Sequence, residues 1–159
     1  MLSWQDVPNA LSKREVFALQ TYASGKLVLE LGSLLGASTI ALAQTAALVT
    51  AVDKHTGYGT PTLHRFMSNM DRAGVSAKVQ PVLLDVKDLV LSIMPDFVFI
   101  DLDGSEELTT LALDKVREVP VVAIHDIDRS RCGVTQAVAK SRRQQLWQVD
   151  TLVLLGSRR

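Results

Sequence analysis

Leu27-Val28-Leu29-Glu30-Leu31-Gly32-Ser33-Leu34-Leu35-Gly36-Ala37-Ser38-Thr39 reads as a strand, a tight loop and the start of a helix. Residues 26–30 are apolar on both faces, as a central parallel strand must be. Gly32 and Gly36 lack a Cβ, so the chain can take dihedrals closed to other residues and let a ligand lie against the backbone at the strand's carboxyl end. The spacing is Glu-x-Gly-x-x-x-Gly, and not the Gly-x-Gly-x-x-Gly that cradles a pyrophosphate. A plain structural turn between strand and helix is the alternative reading of the same glycines.

Upstream, Ser12-Lys13-Arg14-Glu15 has the form of a capping box. Val16, Leu19 and Tyr22/Ala23 follow at three-to-four spacing, which predicts an amphipathic helix over 12–23, closed by Gly25. Downstream, a helix over 37–45 precedes a second strand over 48–52, which ends on Asp53, 23 residues after Glu30. Thr60 is expected to cap the next helix, with Pro61 at its first position and Gly74 at its stop. A third strand over 77–83 leads to Asp85, which either caps a short helix over 86–92 or faces a ligand. A fourth strand over 95–100 runs into Asp101-Leu102-Asp103-Gly104-Ser105, with Ser105 capping a helix. A fifth over 120–124 runs into His125-Asp126-Ile127-Asp128, and ionisable groups this dense at two strand tips do not serve packing. After a loop with Arg129, Arg131 and Gly133, residues 134–141 read as a helix, and 146–149 with 152–155 as a closing strand pair.

With 159 residues, 47% hydrophobic and 21% charged, the chain is sized for one domain that buries a sheet between helix layers. No apolar run approaches the ~20 residues of a membrane helix, and residues 1–10 lack the basic start and apolar centre of a targeting segment. A cytoplasmic protein is therefore expected. A single cysteine, Cys132, excludes an internal disulfide and a cysteine-based zinc site. Net charge is zero but unevenly spread: residues 1–128 carry 10 Lys+Arg against 16 Asp+Glu, and residues 129–159 carry 7 against Asp150 alone. The basic end reads as a solvated face, with a docking surface for an acidic acceptor, nucleic acid included, as the sharper alternative.

The Glu30 to Gly36 loop resembles motif I of the class I methyltransferases that use S-adenosylmethionine. Residues 28–39, Asp53, residues 95–103 and residues 121–126 are similar to the small-molecule O-methyltransferase branch that includes macrolide and aminocoumarin sugar methyltransferases. The similarity runs over about residues 12–126. It implies a Rossmann-like, doubly wound α/β fold: a mainly parallel seven-stranded sheet with helices on both faces, in one compact domain. Within it, residues 1–25 are an N-terminal helical segment, 26–126 the cofactor-binding core, and 127–159 a closing helix and strands.

The resemblance further implies cofactor contacts from Glu30, Leu31, Gly32, Ser33, Gly36 and Ser38 around the first loop. Asp53 and Lys54 after the second strand, Asp85 and Val86 after the third, and Asp101 after the fourth complete the set. Asp53 would accept both ribose hydroxyls, and Asp85 the adenine amino group. Asp101 and Asp126 become ligands of Mg2+ or another divalent cation, and His125 a ligand or a base titrating in the useful range. Asp101, Asp103 and His125 form the catalytic set, with Asp103 a candidate base. A plain hydrogen-bonded pair at a strand end is the alternative for His125 and Asp126.

Two departures matter. Gly104 stands where that branch has a histidine, and Glu106 where it has a tyrosine. The chain also lacks the extra N-terminal helices that cover the acceptor, so the acceptor site is expected to be open or completed by a second subunit of a homo-oligomer. The leading reading is methyl transfer to a hydroxyl of a small molecule, with or without a metal. A catalytically silent S-adenosylmethionine-binding module, or the partner subunit of a larger methyltransferase, is the alternative. A nicotinamide-dependent oxidoreductase is disfavoured by the glycine spacing and by the lack of a Tyr-x-x-x-Lys pair.

Overall fold

A computed structural model describes residues 1–127 and 133–158, without the side chains of Tyr58 and Arg158. Asp128, Arg129, Arg131 and Cys132 lie outside the described residues. Seven strands, β1 (Leu27–Leu31), β2 (Leu48–Asp53), β3 (Val79–Leu83), β4 (Phe97–Ile100), β5 (Val122–Ile124), β6 (Arg143–Val149) and β7 (Leu152–Arg158), form one sheet in the order β3-β2-β1-β4-β5-β7-β6. β1 to β5 are parallel, and β7 enters antiparallel between β5 and β6. The sheet is thus mixed, because a two-residue turn at Asp150 and Thr151 can only return the chain antiparallel.

Side chains alternate along the strands, and this alternation divides the core in two. Val28, Phe97 and Phe99 face α1 (Lys13–Ala23), α2 (Ala37–Ala43) and α3 (Leu63–Ala73) through Leu19, Ile40 and Phe66. Leu29, Val98 and Ile100 face α4 (Glu106–Lys115) and α5 (Gly133–Lys140) through Leu113 and Ala137. Both faces are covered, which is why the central strands carry no polar alternation. Among the described residues, no helix is long and apolar enough to cross a membrane.

Local capping signals are realised where the partner atoms are close in sequence. Ser12 and Glu15 make a reciprocal capping box on α1, and Ser105 accepts from the Leu108 amide at the start of α4. Two boundaries differ from expectation. Thr60 does not cap α3: the Thr62 amide donates to the His55 carbonyl at 2.9 Å, closing the loop so that the helix starts at Leu63 and Pro61 lies outside it. The helix expected over 86–92 is a single 3-10 turn, Val86–Asp88. Leu89 leaves the turn extended at φ −61 and ψ 126, and its carbonyl accepts from Lys115 Nζ at 2.9 Å.

Gly32 has φ +92, and a Cβ there would come within 2.0 Å of the Asp101 carbonyl oxygen. The loop after β1 therefore rests directly on the backbone that leaves β4. Gly25, also left-handed at φ +69, has nothing within 4 Å of the same position among the described residues. Gly25→Ala should cost only the backbone strain, about 1–2 kcal/mol, while Gly32→Ala adds a backbone collision and should cost more than about 3 kcal/mol. Urea unfolding of the two variants measures the difference.

Candidate functional site

The parallel ladder extends one residue past each central strand. Gly32 N donates to Val52 O at 2.9 Å, Asp101 N to Leu31 O at 2.9 Å and His125 N to Ile100 O at 3.0 Å. Gly32, Asp101 and His125 are thereby set side by side on the carboxyl edge of the sheet, where strand order reverses between β1 and β4. A cleft of about 730 Å³ opens there, within the usual size of a ligand site. Its walls come from the Gly32 loop, Asp53 and Lys54, Leu84 to Val86, Asp101 to Asp103, His125 and Asp126, and residues 8–11 ahead of α1.

Asp53 holds the glycine loop in place. Its Oδ2 accepts the amides of Ser33 at 2.9 Å and Leu34 at 2.8 Å, and its Oδ1 accepts the His55 amide at 2.6 Å. Leu34 sits at φ +45, a left-handed conformation costly for a large side chain, and the Asp53 contact secures it there. A carboxylate offers about four acceptor positions, so three are committed and one remains. The expectation that Asp53 takes both ribose hydroxyls thus meets a side chain already serving the loop. Ser33 lines the cleft, and its buried Oγ makes no hydrogen bond among the described residues, leaving a hydroxyl for a ligand.

On the opposite side, His125 is buried between carboxylates. Nδ1 stands 3.4 Å from Asp101 Oδ1 and 3.3 Å from Asp126 Oδ1, and Nε2 stands 3.5 Å from Glu15 Oε2 and 3.2 Å from Thr151 Oγ1. Asp126 is itself left-handed at φ +66, a conformation that aspartate tolerates. Burial pulls the His125 pKa down, but hydrogen bonds to Asp101 and Glu15 and the charges of Asp101 and Asp126 outweigh it and raise it to about 10. Burial pushes Glu15 up, but its bonds from His125, Ser12 and Thr151 prevail and bring it to about 2. His125 is therefore a held cation at neutral pH. The expectation of a histidine titrating in the useful range is corrected by this carboxylate cage.

The remaining expected residues divide. Gly32, Ser33, Ser38, Asp53, Lys54, Asp85, Val86, Asp101, Asp103, His125 and Asp126 all line the cleft. Glu30, Leu31 and Gly36 do not line it. The buried carboxyl of Glu30 accepts from Ser38 Oγ and Thr39 Oγ1, each at 2.5 Å, which pins β1 to the first turn of α2. Burial, against those two bonds, raises its pKa to about 7. Gly36 gives α2 its left-handed entry at φ +90 beside Met70 and Phe66. Asp85 caps the 3-10 turn by accepting from Lys87 N at 3.1 Å and still borders the cleft, so both of its expected positions coincide. The Lys87 bond lowers its pKa. Asp103 Oδ1 accepts the Ser105 amide at 2.9 Å on the rim.

Sequence reading missed Glu15 and Thr151 as neighbours of His125. The only local signal for Glu15 was its capping position, which says nothing of a strand end more than a hundred residues away. His55 was also missed: its Nδ1 meets Thr62 Oγ1 at 3.1 Å, its ring lies 5.2 Å from that of Phe66, and burial lowers its pKa.

No protein-family model matches the chain, and no curated protein sequence matches it. Solved structures do. A SAM-dependent O-methyltransferase from Thermotoga maritima superposes with TM-score 0.75 at 13% identity, covering 99% of this chain and 72% of that one. An rRNA methylase from Streptococcus thermophilus gives 0.69 at 19% identity, over 92% and 95%. The N-methyltransferase NodS from Bradyrhizobium japonicum gives 0.67 at 13%, over 92% and 94%. The chain shares the Rossmann-like α/β fold of these proteins. At these identities the likeness speaks to the fold, and the three neighbours differ in what they are named for: oxygen, rRNA and nitrogen.

The pKa shifts set a pH profile. A group raised on folding stabilises fully below its unfolded value and loses that contribution as pH rises through its folded one. Glu30 loses its share between about 4.5 and 7, and His125 between about 6.5 and 10. Glu15, lowered on folding, contributes fully above about 4.5 and loses it as pH falls through about 2. His125→Gln should therefore destabilise by about 2–4 kcal/mol at pH 6, with the gap to the parent closing toward pH 10. Urea unfolding across this range reads it.

Proposed function

We propose that the chain is an S-adenosylmethionine-dependent methyltransferase acting on a hydroxyl of a small molecule. The observation that carries the reading is one cleft with the Gly32 loop and Asp53 on one side and the Asp101, His125 and Asp126 cluster on the other. The free Ser33 hydroxyl, the Gly32 backbone with no room for a side chain, the remaining acceptor position of Asp53 and the rim carboxylate of Asp85 are the groups that would hold the cofactor. Bound there, it supplies an electrophilic methyl on a sulfonium. Residues 26–126 would provide this binding core within one domain.

The chain's own task is to align an acceptor oxygen and take its proton. His125, charged at neutral pH, presents positive charge against a developing oxyanion, while a carboxylate, Asp103 on the rim or Asp126 beside it, accepts the proton. Asp101, His125 and Asp126 each offer one ligand atom, all within 4.8 Å of one another, so the donor set fits a divalent cation. His125 would have to release its Nδ1 proton to bind one. Metal and imidazolium are alternative ways of balancing the same carboxylates.

Five aspartates line the cleft, Asp53, Asp85, Asp101, Asp103 and Asp126, against Lys54 and His125. This charge favours a polyol over a polyanion such as RNA. The silent-module alternative draws on Gly104, which leaves no side chain where the resembling branch has a histidine, and on the basic balance of residues 129–159.

Calorimetric titration with S-adenosylhomocysteine, with and without Mg2+ and with NAD as control, tests the reading. Micromolar binding of the first and none of NAD is expected, and Asp53→Ala and Gly32→Val should weaken it by more than about tenfold. Asp101→Ala and Asp126→Ala should keep binding and lose methyl transfer to a library of vicinal diols and sugars by about a hundredfold or more. Unchanged transfer in the last pair would remove them from the chemistry.

A further inference from the structure

We propose that Glu15 is a positioning residue of the methyl-transfer site, holding His125 from the side away from the cleft and tying the N-terminal wall of the cleft to it. The proposal rests on the methyltransferase reading. Capping glutamates ordinarily sit on the surface, but Glu15 is 1% exposed. Capping requires only the bond from Ser12 N to Oε2, 2.7 Å. Glu15 makes three further contacts that a cap does not need: Oε1 accepts Thr151 N at 2.8 Å and Thr151 Oγ1 at 2.9 Å, and Oε2 stands 3.5 Å from His125 Nε2.

Thr151 Oγ1, having donated its proton to Glu15, turns a lone pair to His125 Nε2 at 3.2 Å. Two oxygens thus define the back edge of the imidazole. A ring turned over would present carbons to them and to the carboxylates in front, so Nδ1 is fixed toward Asp101 and Asp126. The same cap ends the segment 8–11 that walls the cleft, and Ser12 Oγ donates to Asp150 Oδ2 at 2.6 Å beside Thr151. One carboxylate therefore joins cleft wall, closing hairpin and strand-five tip.

The test compares Glu15→Gln with Ser12→Ala, which weakens the same helix cap and removes the bond to Asp150 at a residue that makes no contact with His125. Nitrogen-15 spectra of the histidine side chains report the His125 ring directly, whether or not cofactor binds. In E15Q the His125 Nε2 and Nδ1 signals should shift and the Nε2 proton should exchange at least about tenfold faster. In S12A, at equal or greater loss of Tm, they should stay as in the parent. S-adenosylhomocysteine affinity in E15Q should remain within about threefold, while transfer to the best diol of the library falls about tenfold or more in kcat with KM for S-adenosylmethionine held. Unmoved His125 signals in E15Q, equal effects in both variants, or loss of cofactor affinity alongside turnover would overturn the proposal. A parent that binds no S-adenosylhomocysteine overturns the methyltransferase reading instead, and the His125 spectra still decide the role of Glu15.

Discussion

Two backbones meet at Gly32 more closely than any side chain permits. The space that a Cβ would fill belongs to the Asp101 carbonyl, so the loop leaving β1 and the tip of β4 form one surface. Everything placed on the carboxyl edge follows from that contact. Asp53 bonds the Ser33 and Leu34 amides of that loop, and the ladder bond from His125 N to Ile100 O sets Asp101 beside His125. The two cores on either face support the strands. The functional edge is set by the missing side chain.

Around that contact the charges are arranged in two tiers. Behind the sheet edge, Glu30 is sealed with its hydroxyl partners, and burial raises its pKa to about 7. At the edge, His125 remains charged because three carboxylates compensate its burial. The difference between these two buried groups is the number of partners of opposite charge. One supplies rigidity to the β1 to α2 turn, and the other supplies a fixed positive charge at the cleft.

Much of this was legible along the chain. The strand tips, the glycine loop, the Ser12 and Ser105 caps and the chain order of the strands are written in neighbouring residues, where periodicity and turn chemistry act. What stayed hidden depended on distance in sequence. The Thr62 to His55 bond that delays α3 is set by the path of a loop, and the Lys115 to Leu89 bond just past the turn after Asp85 joins two separate elements. The commitment of Asp53 to amides, and the partnership of Glu15 with a histidine on β5's end, require the folded sheet. A residue type shows what it can donate or accept. The fold decides to whom.

The bonds from Ser12 to Asp150 and from Glu15 to Thr151 join residues 138 and 136 positions apart. Contacts of such sequence separation form late and slowly, since nearly the whole chain must be ordered between them. The loop-closure cost itself grows only as the logarithm of length, about 0.6 kcal/mol per doubling. The two ends of the chain therefore meet behind His125 at little more entropic cost than a loop half that length would carry.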